Sequence, residues 1–375
     1  MNESTSSMLL IGIGTSGCAI ASKTASSFEG GIRYVLVDTD ARSGAGGEPF
    51  ALIGGDRLGG NGAGGDMVAA RLATEDSIDS LDTLLEGVRL AVVVTALGGG
   101  TGSGATLEIV KRLRDHGIPS CVFATTPFAF EGEDRQRNAR GVMTMIEESA
   151  NACFFMQLDK LVGDADQQMG GAMRKAIETM SAGVTLFWNL VAKPGYIKLD
   201  TERIRHLIAG SGRGRFATVT VEGEGRAQQA IEELCRSPLL LTSSGPVRAM
   251  LCGILAGDDL RLAEIGQLAD GLHKSFGEQS SFTLATVNDE ATFSGRLSDV
   301  LMLFESDGRT ADEDAGEDDG ANKSSDAARR RRKQKAILGT APTGRGRFNN
   351  SESTIWNGED LDVPTFIRRN INLDF

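Results

Sequence analysis

No run of apolar residues in this 375-residue chain reaches the roughly 18 that a membrane-spanning helix needs. Basic charge is also short. Thirty-nine Lys and Arg against 51 Asp and Glu leave a net charge of −12, which argues against general affinity for nucleic acid or anionic membranes. Histidine is scarce, and His116, His206 and His273 lie too far apart in sequence to suggest a catalytic dyad or a zinc site. The five cysteines are an odd number without metal-ligand spacing, so they read as reduced thiols. Cys121, Cys153 and Cys252 fall in apolar segments, where core packing is expected. The first seven residues carry no Lys or Arg, and Met8–Ile13 is shorter than a signal peptide's apolar region. A cytoplasmic protein is expected.

Glycine, by contrast, is clustered. In Leu97-Gly98-Gly99-Gly100-Thr101-Gly102-Ser103-Gly104, five of the last seven residues are glycine, directly after an apolar run and before a helical pattern. Such a turn leaves backbone N–H groups uncovered at the positive end of a helix, where they hold phosphate. Two further Gly-rich turns follow Ile11 and Asp56. Three in one domain point to a ligand with several phosphates.

The first half alternates apolar runs with helical patterns. Strands are predicted at Met8–Ile13, Arg33–Val37, Ala91–Ala96, Ser120–Thr125 and Ala152–Met156. Helices are predicted at about Ala19–Phe28, Asp66–Leu72, Ile78–Leu85, Gly104–His116 and Gln136–Ser149. This alternation predicts an α/β fold, a doubly wound parallel sheet whose ligand sits at the carboxyl ends of the strands. A long helix from about Asp166 to Val191 stops at Lys193-Pro194-Gly195. A smaller α+β domain follows, with helices at Arg226–Arg236 and Ala263–Phe276 and strands at Val247–Leu255, Ser281–Val287 and Leu297–Phe304. After Glu305 the acidic Asp312–Asp319 and basic Arg329–Lys335 have few apolar residues between them, which predicts a disordered spacer. The run Arg329–Lys333 reads as a nucleic-acid or lipid site or as part of a self-attracting spacer; the spacer is preferred and no nucleic-acid partner is expected.

In this order the motifs resemble the FtsZ branch of the tubulin/FtsZ superfamily of cell-division GTPases, with the chain as a divergent member. Leu97–Gly104 carries that superfamily's GGGTGSG signature. The resemblance implies a GTP-binding domain at 8–165, a central helix at 166–193 and an α+β domain at 194–305. Around them it implies a disordered N-terminus at 1–7, a linker at 306–358 and a partner-binding peptide at 359–375. It implies GTP or GDP with Mg²⁺ held by phosphates and water, without protein side chains as metal ligands. It also implies a head-to-tail homopolymer at the division site. The peptide Leu361-Asp362-Val363-Pro364-Thr365-Phe366-Ile367-Arg368-Arg369 would dock on membrane-tethering division proteins through Leu361, Val363, Pro364, Phe366, Ile367, Arg368 and Arg369, without a direct membrane span.

The same resemblance assigns nucleotide contacts. The first turn supplies Gly14, Thr15, Ser16, Gly17 and Cys18, with Cys18 or Ala19 standing where the family has Asn. Asp38, in Asp38-Thr39-Asp40-Ala41, ends the second strand. Gly62, Ala63, Gly64 and Gly65 would wrap the terminal phosphate. Gly98, Gly99, Gly100, Thr101, Gly102, Ser103 and Gly104 form the central loop. Pro127, Glu131 and Arg135 belong to the next loop, where Glu131 would bond the ribose. Ile177 and Glu178 fall at the base; Glu178 has an acceptor for a guanine edge, whereas Ile177 has none, and Leu158 replaces a further Asn.

Hydrolysis in this superfamily is completed in trans by an N-x-D-x-x-D loop after the central helix. Here Lys198 replaces the Asn, Asp200 keeps the first acidic position, Arg203 replaces the second, and Glu202 stands one residue off. The two cations would stabilise transition-state charge, bind nucleotide across the interface with slow turnover, or serve as plain surface charges. A polymer scaffold with little turnover is the alternative function. A dinucleotide-dependent oxidoreductase is a third, because Gly12, Gly14 and Gly17 have G-x-G-x-x-G spacing ahead of Asp38.

Overall fold

The computed structural model describes residues 7–28, 31–161, 169–193, 195–209, 212–241, 245–277, 280–305, 355–356 and 359–360. Residues 1–314 form one compact unit and 315–375 a second. Within the first runs a ten-stranded sheet of β1 (Met8–Ile13), β2 (Tyr34–Asp38), β3 (Phe50–Leu52), β4 (Leu90–Ala96), β5 (Ser120–Thr126), β6 (Ala152–Gln157), β7 (Gly212–Glu222), β8 (Val247–Ala256), β9 (Ser281–Asn288) and β10 (Arg296–Glu305). Their spatial order is β3-β2-β1-β4-β5-β6-β7-β10-β8-β9. Every neighbour from β3 to β7 is parallel; β10 is antiparallel to both β7 and β8, and β8 pairs parallel with β9. The expected doubly wound α/β architecture is therefore present.

Helices of eight residues or more, among the described residues, are α1 (Gly14–Ser26), α2 (Met67–Asp76), α3 (Ile78–Leu85), α4 (Gly100–Asp115), α5 (Glu133–Ser149), α6 (Met169–Ala192), α7 (Thr201–Ile208), α8 (Arg226–Arg236) and α9 (Leu262–Phe276). None is long and apolar enough to cross a membrane.

The apolar runs are unbroken because both faces of the sheet are covered. Met8, Leu10, Val92, Phe123 and Phe154 turn to one face, packing with Phe187 and Trp188 of α6. Their neighbours Leu9, Ile11, Val93 and Val122 turn to the other, with Ile109 and Leu113 of α4 and Val142 and Ile146 of α5. In the second half, Val219, Ile254 and Leu301 face Ile231 of α8 and Leu268 of α9. The opposite face there, including Leu251, Val287 and Met302, joins the cluster of α6, so one helix underlies both halves.

Two strands escaped the sequence reading. β3 is three residues long. β7 opens as Gly212-Arg213-Gly214-Arg215, which resembles a turn; Gly214 is needed because a Cβ there would stand 2.6 Å from the Phe154 ring and 2.8 Å from the Leu303 carbonyl. β7 joins the parallel half through three register pairs with β6, against nine with β10.

In the second unit, Ile355–Trp356 pairs antiparallel with Glu359–Asp360. The first six residues, Asp166, Pro194, the Arg329–Lys333 run and the peptide residues from Leu361 to Arg369 lie outside the described residues.

Candidate functional site

At the carboxyl ends of β1, β4 and β5, a cleft of about 210 Å³ opens between the first turns of α1 and α4, the loop after β5 and the N-terminal half of α6. Its lining includes Gly14, Thr15, Ser16, Gly99, Gly100, Thr101, Gly102, Pro127, Glu131, Arg135 and Ile177, all expected from sequence. It also includes Ile20, Thr125, Thr126, Leu158, Met173 and Ala176. Met173, Ala176 and Ile177 have the i, i+3, i+4 spacing of one helix face, a signal that the sequence carried and that a search for polar base-readers passes over.

Both α1 and α4 begin inside their glycine turns, earlier than sequence predicted. The N-cap positions Ile13 and Gly99 provide no side-chain cap, whereas Asp66 caps α2 and Asp200 caps α7. Two first turns therefore present backbone donors to one cleft without an internal carboxylate competing for them. Glycine is needed there for closeness: a Cβ on Gly102 would lie 2.0 Å from the Ala96 carbonyl oxygen. At Gly98 the backbone is left-handed, with φ of 96°. Gly99 faces open space, with nothing within 4 Å of an added Cβ.

Several expected contacts lie behind this surface. Ser103 accepts from the Gly98 N–H at 2.9 Å and holds the loop. Gly104 faces α2, where a Cβ would be 2.2 Å from the Met67 carbonyl, and Gly17 packs on the Val94 carbonyl. Cys18 is buried, its thiol directed to the Gly12 and Val37 carbonyls, and burial beside Asp38 pushes its pKa up to about 12. A nucleophilic role is remote for such a thiol.

Asp38 is buried and accepts from Thr39 N at 2.8 Å, Ser43 Oγ at 2.7 Å and Thr15 Oγ1 at 3.2 Å. Spent in this way, it does not offer a carboxylate to a dinucleotide ribose. Beside it, Thr39 and Thr101 hydroxyls meet at 2.6 Å and tie the end of β2 to the start of α4. The Gly60–Asp66 loop lies against α4: Gly62 N–H donates to the Thr39 carbonyl, and Gly100 sits close to Ala63 and Asp66. Gly62, Ala63, Gly64 and Gly65 are not among the cleft's lining residues. Glu131 is ion-paired with Arg135 on the rim and accepts from Phe128 N–H at 2.9 Å.

Glu178 stands off the cleft. It pairs with Lys23 of α1 at 3.4 Å on the exposed side of α6, about 100° around the helix from Ile177. The α6 side of the cleft therefore contains Ile177 without Glu178.

Residues 195–200 form a second region. Gly195 presses on β9, and Ile197 exchanges hydrogen bonds with Thr286, each at 2.9 Å. Asp200 accepts from Arg203 N–H at 2.7 Å as the cap of α7, and Glu202 pairs with Arg89 at 3.1 Å. Lys198 and Arg203 are exposed. None of Lys198, Asp200, Glu202 and Arg203 lines the cleft. Fifteen residues of helix separate Ile177 from Ala192, about 22 Å, so the loop lies at the far end of α6 from the cleft.

Residues 7–166 match the family described as "Tubulin/FtsZ family, GTPase domain", a span that includes β1 to β6. That stretch of the chain is similar to a tubulin/FtsZ GTPase domain. A cell division protein FtsZ of Magnetospirillum gryphiswaldense is 29% identical over 287 residues, covering 75% of this chain and 51% of that protein. The chain thus spans about half the length of that relative. An empty FtsZ dimer of M. jannaschii superposes with a TM-score of 0.76 at 21% identity, covering 85% of this chain and 95% of that one. A GTPγS-bound protofilament structure of CetZ2 from Haloferax volcanii gives 0.65 at 23% identity, covering 82% and 95%. These structural likenesses give the fold of FtsZ and CetZ2 to the ten-stranded body.

Proposed function

We propose that this protein binds GTP in the cleft, stacks head to tail into filaments and hydrolyses the nucleotide where two copies meet, acting in bacterial cell division. The observation that carries this reading is the convergence of two uncapped, glycine-opened helices on one cleft, which suits a chain of phosphates. The Lys198–Arg203 segment follows the end of α6, which lies about 22 Å down that helix from Ile177; this supports the need for a second copy. Head-to-tail contact of this kind does not close on itself and builds a filament. The names of the FtsZ relative and of the CetZ2 protofilament support the same direction.

Mg²⁺ suits the cleft as a partner of phosphates and water. Hydroxyls of Thr15, Ser16 and Thr101 line it, and no cluster of three His, Cys, Asp or Glu occurs among the described residues. The ion would offset phosphate charge. In trans, Asp200 would orient water while Lys198 and Arg203 face the phosphates. The terminal peptide, Leu361 to Arg369, would tether filaments to membrane-anchored division proteins.

A scaffold with little turnover is the second reading. It is favoured by Asp200 being engaged as a helix cap and by Glu202 being held by Arg89. Sedimentation with labelled GTP and Mg²⁺, together with phosphate release across protein concentration, tests both. Turnover that rises with polymer supports the enzyme; polymer without phosphate release supports the scaffold. Absence of GTP retention and of sedimentable polymer defeats both.

A further inference from the structure

The base end of the cleft differs chemically from its phosphate end. Ile20 lies six residues along α1 from Gly14, about 9 Å down the helix axis from the backbone donors. There it meets Leu158, Met173, Ala176 and Ile177. None of these five side chains carries a hydrogen-bond donor, and the single acceptor among them is the weak thioether sulfur of Met173. A purine placed against them gains contact over its ring faces, with the soft Met173 side chain adaptable to either purine. Its exocyclic group at C6, an acceptor in guanine and a donor in adenine, finds no strong side-chain partner among them.

Glu178 is the acidic residue that the sequence places beside Ile177, and the packing of α6 holds it away from the cleft. The ion pair to Lys23 is exposed and by itself weak. The rotation of α6 is set more firmly one turn on, where the buried hydroxyls of Thr24 and Ser181 meet at 3.1 Å between α1 and α6. Ala172, Ala176, Met180 and Val184 are buried along the same helix. Bringing Glu178 to the place of Ile177 would need a turn of about 100°, which would break that hydroxyl pair and expose the apolar stripe.

We infer that this cleft selects purine nucleoside triphosphates by their phosphates and ring faces and discriminates only weakly between guanine and adenine. The inference rests on the reading of the cleft as a triphosphate site and concerns which triphosphates it takes. A site that hydrogen-bonds a substrate's polar group rejects the analogue lacking it by about 10⁴-fold or more, whereas an apolar pocket separates near-isosteres by about 100-fold at most. ATP and ITP are therefore expected to bind within about 100-fold of GTP, with CTP weaker because its single ring covers less of the apolar face.

The test uses the full chain with Mg²⁺ and competition of GTP, ITP, ATP and CTP against a labelled GTP probe. GTP and ATP constants within about 100-fold support the inference; a wider gap overturns it. If GTP itself fails to bind, the underlying reading of the cleft falls instead, so the two failures are told apart. Ile177→Asp places an acceptor-only carboxylate at the base end, which meets both N1–H and the 2-amine of guanine but a single amine of adenine, and is expected to raise the GTP-to-ATP ratio about tenfold, with folding checked by thermal melting. An unchanged ratio in a folded, GTP-binding Ile177→Asp protein shows that the base does not meet this face, and overturns the inference as well.

Discussion

The parallel and antiparallel halves of the sheet arrange polar chemistry in opposite ways. At the cleft of the parallel half, the donors are main-chain amides, and the neighbouring side chains mostly shape or brace: Ser103 holds a loop, Thr39 and Thr101 tie strand to helix, and Asp38 is consumed internally. In the antiparallel half and its flanks, polar groups work as side-chain pairs. Lys193 binds Asp289, Arg226 binds both Asp259 and Glu264, and Cys252 meets Asp299. A site made of backbone tolerates replacement of most side chains around it provided the glycines stay. A site made of side chains changes with each substitution.

The largest expected effect sharpens this contrast at Asp200. Asn caps a helix about as well as Asp, so Asp200→Asn separates the cap of α7 from the charge. If the carboxylate orients water in the next subunit's site, turnover falls by about 10²–10⁴ with the melting temperature held. Phosphate release equal to the parent's would leave Asp200 as a cap and nothing more.

Gly102→Ala strikes the other half. Its Cβ would lie 2.0 Å from the Ala96 carbonyl, so backbone must move, at a cost of about 3 kcal/mol or more, read by denaturant unfolding. Unchanged stability would show that α4 can withdraw from β4 without penalty.

Next in size is Asp299, fully buried in β10, whose pKa burial raises to about 7. The native state thus holds this proton more tightly than the unfolded chain does. Its penalty is absent below about pH 4, grows as pH rises, and is complete above about pH 7. Asp299→Asn should gain on the parent by on the order of 2 kcal/mol between pH 5 and pH 8, seen in urea melts at both values. Parallel pH profiles for the two proteins would refute the buried-acid account.

The smallest effect belongs to Gly99→Ala. An added methyl meets nothing in the protein but enters the space kept for ligand, so melting is unchanged and triphosphate affinity falls about tenfold. Equal affinity would place the phosphates elsewhere in the cleft.

Much of the parallel half was legible in the sequence, since β1 matched its predicted run and β2, β4, β5 and β6 differed by a residue or so. The starts of α1 and α4 were read four or five residues late. Glycine opposes helix formation in general, yet here it occupies first turns pressed against strands, where larger residues do not fit. The glycine-lined end of the cleft followed from the same glycines. The α6 end did not, because whether Glu178 or Ile177 faces the cleft depends on how α6 packs against α1, a tertiary fact fixed by Thr24 and Ser181. β7 was hidden by its alternating glycine and arginine.

The narrow ladder between β6 and β7 has a mechanical consequence. Three rungs resist bending less than the six between β5 and β6 or the nine between β7 and β10, so flexure of the body concentrates along that seam. Because Ile197 is stitched to Thr286, the segment ahead of Asp200 travels with the outer sheet as a door handle travels with its leaf. A few degrees of hinge at the seam would swing that segment through ångströms at the molecule's end without altering a single contact inside it.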